Sequence, residues 1–203
     1  MISSQLAYLA DLGSQVILVL LFAASFFVIA FYVERKLFFK KNFNKNIELL
    51  IKSINKAESR DDIVRILSND ASVESQIVLE AMDDKKAVSS DKFFASISSK
   101  IDITRRKWER FFLYFATVGS NAPFLGLLGT VLGLMQSFSD LALAARPDAK
   151  AAMGGISNAL ITTVAGIVIA IPALVIYNSF SKRVNNAVKN IKALGNSVSN
   201  SIH

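Results

Sequence analysis

The chain has 203 residues, 52% of them hydrophobic, a net charge of +7, one histidine and no cysteine. Without cysteine there is no disulfide framework and no thiolate metal site, and the lone histidine, His203, leaves metal catalysis almost no ligands. The apolar residues gather in three uncharged runs, 12–33, 111–139 and 151–181, and not in the short amphipathic periods of a soluble domain.

The three runs hold 22, 29 and 31 residues. Each exceeds the roughly 20 needed to cross a hydrocarbon core at about 1.5 Å per residue. The fold class that follows is all-α, a three-span transmembrane helical protein. No basic stretch precedes the first run, and its length exceeds that of a signal peptide's apolar region, so it reads as a retained signal anchor. Its bulky side chains, Phe22, Phe26, Phe27, Phe31 and Tyr32, suit lipid contact and an interfacial aromatic belt.

Lysine and arginine set the expected orientation. Arg35, Lys36, Lys40, Lys41 and Lys45 follow the first run, and Arg105, Arg106, Lys107 and Arg110 precede the second. Lys182, Arg183, Lys189 and Lys192 follow the third, while the opposite side offers Arg146 and Lys150 against Asp140 and Asp148. The expected division is therefore as follows. Residues 1–34 form a periplasmic end and first transmembrane helix, 35–110 a cytoplasmic helical region, and 111–139 the second transmembrane helix. Residues 140–150 form a periplasmic loop, 151–181 the third transmembrane helix, and 182–203 a cytoplasmic helix and tail. The basic residues border the membrane, where anionic headgroups of the membrane lipids account for them, so a nucleic-acid partner is not expected.

Within the cytoplasmic region, Ile47, Leu50, Ile51 and Ile54 share one helix face, and Val73, Ile77, Val78 and Ala81 another. Ser59 and Ser72 are the expected N-caps. Phe94, Ile97, Ile101, Thr104, Trp108 and Phe111 recur at steps of three and four and run into the second span. Val184, Val188, Ile191, Leu194 and Val198 do the same after the third, so both helices are expected to continue into the cytoplasm as a paired stalk. No glycine-rich phosphate loop, Ser/His/Asp set or carboxylate pair in a cleft-like context is visible. Catalytic residues, cofactors and enzymatic activity are not expected.

The second and third spans are built from small residues. Ala122, Gly126, Gly129 and Gly133 lie on one face of the second, and Gly155, Ala159, Thr163, Gly166, Ala170 and Ala173 on one face of the third. Small residues let membrane helices approach closely, so these faces predict helix packing and a homo-oligomer. Thr117, Ser120, Asn121, Thr130 and Ser137 accompany the first set, and Ser157, Asn158, Thr162 and Thr163 the second, which together suggest a polar lining. Pro123 and Pro172 interrupt the two helices and free the carbonyls of Gly119 and Val168. Such breaks persist at membrane depth where protein or water satisfies the freed groups. No Asp, Glu, Lys, Arg or His lies inside a span, so a titrating group for proton movement must come from another chain.

The stretches "APFLGLLGTVLGLMQSF" (122–138) and "GISNALITTVAGIVIAIPALVIYN" (155–178) resemble the MotA/TolQ/ExbB proton-channel family, closest to ExbB and TolQ. The resemblance extends to "VERKLFF" at the end of the first span; 42–100 carries no matching motif. It implies a homopentamer whose second and third spans enclose a pore, with two copies of an ExbD/TolR-like single-span partner inside supplying a membrane aspartate. Thr130 and Thr163 fall on the family's pore threonines, Pro123 and Pro172 on its helix-breaking prolines, and Glu34 and Arg35 on its cytoplasmic Glu-Arg step. Asn158 stands where ExbB and TolQ carry a glutamate, and it can hold neither proton nor charge. The implied role is a stator-type subunit of an inner-membrane motor. It would couple proton or other ion motive force to work at the periplasm and outer membrane through a TonB-like or Tol-like periplasm-spanning effector. The residues serve an ExbB role in nutrient import and a TolQ role in envelope constriction alike. Two rival readings use the same motifs, a non-conducting membrane scaffold and an autonomous ion channel.

Overall fold

The structure, a computed structural model, describes residues 2–43, 46–83, 90–143 and 149–202. Lys45, the middle of the expected 140–150 loop with Arg146 and Asp148, and His203 lie outside the described residues. The described chain is all-α. Its helices are α1 (Ile2–Asn42), α2 (Ile47–Ile54), α3 (Arg60–Asn69), α4 (Val73–Met82), α5 (Ser90–Trp108), α6 (Phe112–Leu143) and α7 (Ala149–Ile202). Three helices, α1, α6 and α7, carry stretches long and apolar enough to cross a membrane. The 54 residues of α7 give it a length of about 80 Å, far more than a hydrocarbon core requires.

Two compact units divide the chain: Met1–Tyr32 with Phe111–Asn178, and Val33–Arg110 with Ser179–His203. Both α1 and α7 contribute to each. In the first unit, α1 buries Ala10, Ile17, Leu21 and Val28, a stripe with steps of seven, four and seven. Ile17 and Leu21 pack with Ala122 and Ala170, flanked by Val118, Leu125, Leu132, Ala165 and Ile169. The opposite side of α1, with Val19, Phe22, Phe26 and Ile29, stays exposed, as an apolar helix facing lipid does. An aromatic clasp ties α1 to the start of α6. Phe31 stacks on Phe111 at 4.0 Å, Tyr114 meets Phe31 edge-on at 5.1 Å, and the Tyr114 hydroxyl donates to Ala24 O at 3.0 Å.

The second unit is an ordinary water-excluding core. Along α7, Phe180, Val184, Ala187, Ile191, Leu194 and Val198 are buried at alternating steps of four and three. From α5 come Phe93, Ile97, Ile101 and Trp108, and from α2 to α4 Ile54, Ile63, Leu67, Ile77, Val78 and Ala81. Both expected N-caps form: Ser59 Oγ accepts from Asp62 N at 3.2 Å, and Ser72 Oγ from Ser75 N at 3.3 Å.

The stripe that the sequence reads as one helix running into the second span is two helices. The chain breaks at 109–111, where Phe111 adopts a left-handed φ of 68°. This conformation disfavours side chains with a Cβ, and the stacked Phe31 ring holds Phe111 in it. Arg35 closes the end of α5 on the other side of the break. Its side chain is 3% exposed. Nη1 donates to Lys107 O at 3.0 Å and Trp108 O at 3.4 Å, Nη2 to Glu34 Oε1 at 2.8 Å, and the guanidinium lies over the Phe38 ring at 4.6 Å. A cation here satisfies carbonyls that end without helical partners, and it sits at the negative end of the helix dipole.

Arg35→Ala is expected to loosen the last turn of α5 by about 1.5–3 kcal/mol, the range for a hydrogen bond to a charged group. Amide hydrogen exchange at 105–110 would then rise by one to two orders of magnitude, roughly tenfold per 1.4 kcal/mol. Arg35→Lys should recover less than half of the protection, since an ammonium lacks the planar fork. Unchanged exchange in Arg35→Ala would refute the capping role.

Candidate functional site

The small residues of α6 and α7 face each other. A Cβ placed on Gly166 would lie 2.5 Å from Ala122 O and 3.1 Å from Gly126 Cα, and one on Gly126 would lie 2.7 Å from Thr162 O. The backbones themselves are in contact, and only glycine permits this. The seam continues toward the α6 C-terminus. A Cβ on Gly129 would meet Thr162 Oγ1 at 2.9 Å and Ile17 Cγ2 at 3.3 Å, one on Gly133 would meet Ala159 Cβ at 2.7 Å, and one on Gly155 would run into Ser137. All five glycines singled out in the sequence lie where a Cβ would meet the facing helix of the same chain.

Close approach brings three hydroxyls together. Thr130 is 7% and Thr162 4% exposed, and Thr163 is half-buried beside them. Thr130 Oγ1 lies 3.1 Å from Gly126 O, 3.1 Å from Ala159 O and 3.3 Å from Thr162 Oγ1, and it is hydrogen-bonded to Thr163 Oγ1. Thr162 Oγ1 reaches Ala159 O at 2.7 Å and Gly126 O at 3.2 Å, and Thr163 Oγ1 reaches Gly126 O at 3.2 Å. Each hydroxyl has one proton and can accept from others, so the carbonyls of Gly126 and Ala159 serve three donors that also bond one another. Such a cluster can solvate a charge or pass hydrogen bonds along. It cannot store a proton, because no member titrates near neutral pH.

The other singled-out residues lie elsewhere. Asn158 is exposed and makes no hydrogen bond among the described residues. With Thr162 it borders a separate notch of about 330 Å³ between α1, α6 and α7, where Gln15, Gln136, Ser137 and Asp140 also lie. Gln15, Gln136 and Asp140 were not anticipated; the i, i+4 pair Gln136 and Asp140 at the end of an otherwise apolar helix was the available signal. Pro123 and Pro172 sit inside continuous helices, the first half-buried and the second exposed. Thr117, Ser120 and Asn121 lie on the exposed face of α6, with Ser120 and Asn121 bonding back to Ala116 O at 2.8 Å and Thr117 O at 2.9 Å. Glu34 and Arg35 belong to the α5 cap.

Residues 69–193, more than half of the chain, match the family model described as the MotA/TolQ/ExbB proton channel family. The chain belongs to the MotA/TolQ/ExbB proton channel family. It is a membrane protein with three candidate spans; the matched residues take in the second, most of the third and the whole threonine cluster. Glu34 and Arg35 lie outside them. It is 47% identical over 90 residues to an ExbB-like biopolymer transport protein of Helicobacter pylori, covering 42% of this chain and 60% of that one. It is 44% identical over 73 residues to the biopolymer transport protein ExbB of Salmonella typhimurium, 36% of this chain and 30% of the relative. It is 47% identical over 70 residues to the Tol-Pal system protein TolQ of Pseudomonas aeruginosa, 34% and 30% of the two chains. The chain thus spans less than two thirds of the length of each of these relatives.

The backbone contact sets a test. Gly166→Ala is expected to lower stability by about 1–3 kcal/mol, because the new methyl meets a carbonyl oxygen that cannot turn aside. Gly154→Ala, whose Cβ would meet nothing within 4 Å, should instead leave stability unchanged or raise it by up to about 1 kcal/mol, the helix-propensity gain of alanine over glycine. Thermal unfolding in detergent compares the two, and equal midpoints would refute backbone contact at the seam.

Proposed function

We propose that the chain is an ExbB/TolQ-like stator subunit of an inner-membrane motor, coupling ion motive force, carried by protons, to work at the periplasm and outer membrane. The observation that carries the reading is the hydroxyl cluster of Thr130, Thr162 and Thr163 inside the runs 111–139 and 151–181, which hold no Asp, Glu, Lys, Arg or His. A proton channel built this way solvates a titrating group without supplying one. An ionised carboxylate in a dry apolar pore is costly and a neutral one cannot cycle its proton, so neighbouring hydroxyls lower the cost of cycling.

In this reading five copies surround a pore lined by α6 and α7, and two copies of an ExbD/TolR-like single-span partner bring the aspartate. Thr163, the half-exposed member, presents the cluster to that carboxylate, while Thr130 and Thr162 hold it in place. Asn158, which has no hydrogen-bond partner among the described residues, bonds to a neighbouring chain or to water. Thr117, exposed and without a side-chain hydrogen bond among the described residues, supports an occupied or wet face on α6, since lipid offers its hydroxyl nothing. The excess of Lys and Arg supports a cytoplasmic position for 35–110 and 182–203 and a periplasmic one for the N-terminal end and the 140–150 loop. A TonB-like or Tol-like effector carries the force onward.

Copurification from membranes followed by mass spectrometry is expected to recover a single-span protein with an aspartate in its span. Proteoliposomes holding both proteins should conduct protons, and those holding this chain alone should not. Thr130→Val with Thr163→Val keeps shape and removes two hydroxyls, so the complex should survive while flux falls at least tenfold. Flux from the chain alone would make it an autonomous channel. A stable complex without flux would make it a scaffold. Full flux in the double variant would mean the hydroxyls serve only helix packing.

A further inference from the structure

The second unit holds a cavity of about 530 Å³ walled by α1 and α7. Lys36, Phe39 and Lys40 face it from α1, and Phe43 just past the end of that helix, with i, i+3, i+4, i+7 spacing. Arg183, Asn186, Ala187 and Asn190 face it from α7 with the same spacing, so two helices present matched stripes to one space. The aromatic wall is fixed: Phe39 stacks on Phe180 at 5.2 Å and Phe43 on Phe39 at 4.9 Å. Ala187 offers only a methyl to the room opposite.

Charge identifies the occupant. Lys36, Lys40 and Arg183 outnumber the one carboxylate in the lining, Glu74, which is 1% exposed. Among the described residues Lys40 and Arg183 have no ion-pair or hydrogen-bond partner. Asn186 and Asn190 add amide donors, so cationic and neutral donors converge beside an apolar wall. Depth identifies the setting. Lys36 is three residues beyond the uncharged run ending at Val33, and Arg183 two beyond the run ending at Ser181. Along a helix these two charges lie about 5 Å or less past the apolar stretch, and Lys40, seven residues past Val33, about 10 Å, depths that headgroups occupy.

We propose that this cavity binds a phosphate group, one per chain, with Lys40 and Arg183 as its principal ligands. Arginine suits the tetrahedral oxygens through its fork, lysine as a point charge. The group can come from an anionic phospholipid or from a soluble phosphate compound. The proposal is independent of ion conduction.

Trp108 is the only tryptophan of the chain, and its ring meets Phe43 at 5.2 Å, so its emission reports on the cavity wall. Full-length protein in non-ionic detergent would be titrated with dihexanoylphosphatidylglycerol, with dihexanoylglycerol, which lacks the phosphate, and with inorganic phosphate at constant ionic strength. Native mass spectrometry counts retained phospholipid in parallel, so a silent tryptophan does not hide binding. The phosphatidylglycerol response should saturate and weaken at least tenfold in Lys40→Gln with Arg183→Gln. Lys189→Gln with Lys192→Gln removes the same charge outside the lining and should change affinity less than twofold. A saturable response to inorganic phosphate alone, with the same dependence on Lys40 and Arg183, supports the site and assigns it to a soluble compound. Equal weakening by both double variants, equal binding of dihexanoylglycerol, or no saturable binding by either method would overturn it.

Discussion

Contact between two backbones at Gly126 and Gly166 is the constraint on which the first unit depends. Lipid tails are as apolar as leucine, so α6 and α7 gain little by hiding side chains from them. What remains is dispersion at short range and hydrogen bonds across the seam, and both require the helix axes to be close. The approach that leaves a Cβ on Gly166 only 2.5 Å from Ala122 O also brings the Thr162 and Thr163 hydroxyls within 3.2 Å of Gly126 O. Packing and polar chemistry therefore share one cause. Side-chain bulk at either glycine removes both.

Helix α7 shows how the rule changes with the medium. Its buried positions in the first unit are small, Ala159, Gly166, Ala170 and Ala173. In the second they are mostly bulky, Phe180, Val184, Ile191, Leu194 and Val198, with Ala187 and Gly195 the small ones among them. Where water is the competing solvent, each buried methylene contributes about 0.8 kcal/mol, and bulk is favoured. The same helix thus carries two packing alphabets, divided between Ala173 and Phe180. The second alphabet comes with the devices of an aqueous domain: serine N-caps on α3 and α4, and the buried guanidinium of Arg35 over the end of α5.

Much of this was legible in the amino-acid sequence because membrane spans declare themselves by length and lack of charge. The three apolar helices, the glycine faces of α6 and α7, and the caps Ser59 and Ser72 all follow from local chemistry that tertiary structure leaves intact. The break between α5 and α6 was not legible. A left-handed residue is usually signalled by glycine or asparagine, and here it is Phe111, held by an aromatic partner eighty residues away. On α7, Ala187 takes the buried position expected for Val188, because alternation of fours and threes leaves one residue of freedom in phase. The threonines were visible as polar residues. That Thr162 joins Thr130 and Thr163 while Asn158 stands apart depends on how the helices rotate against each other, and a single sequence carries no such information.

The hydroxyl cluster has a property that its oxygen positions alone do not convey. Three protons are distributed over Gly126 O, Ala159 O and the hydroxyl oxygens themselves, and more than one arrangement satisfies the same geometry. Thr130 can point its proton along its own helix to Gly126 O or across the seam to Ala159 O, with its neighbours turning in concert. The site resembles a fragment of ice, ordered in its heavy atoms and disordered in its hydrogens. Its dipole can therefore reverse by torsions about three Cβ–Oγ bonds, leaving the backbone contact beneath it undisturbed. Rigid packing and a soft dielectric response occupy the same few ångströms of membrane.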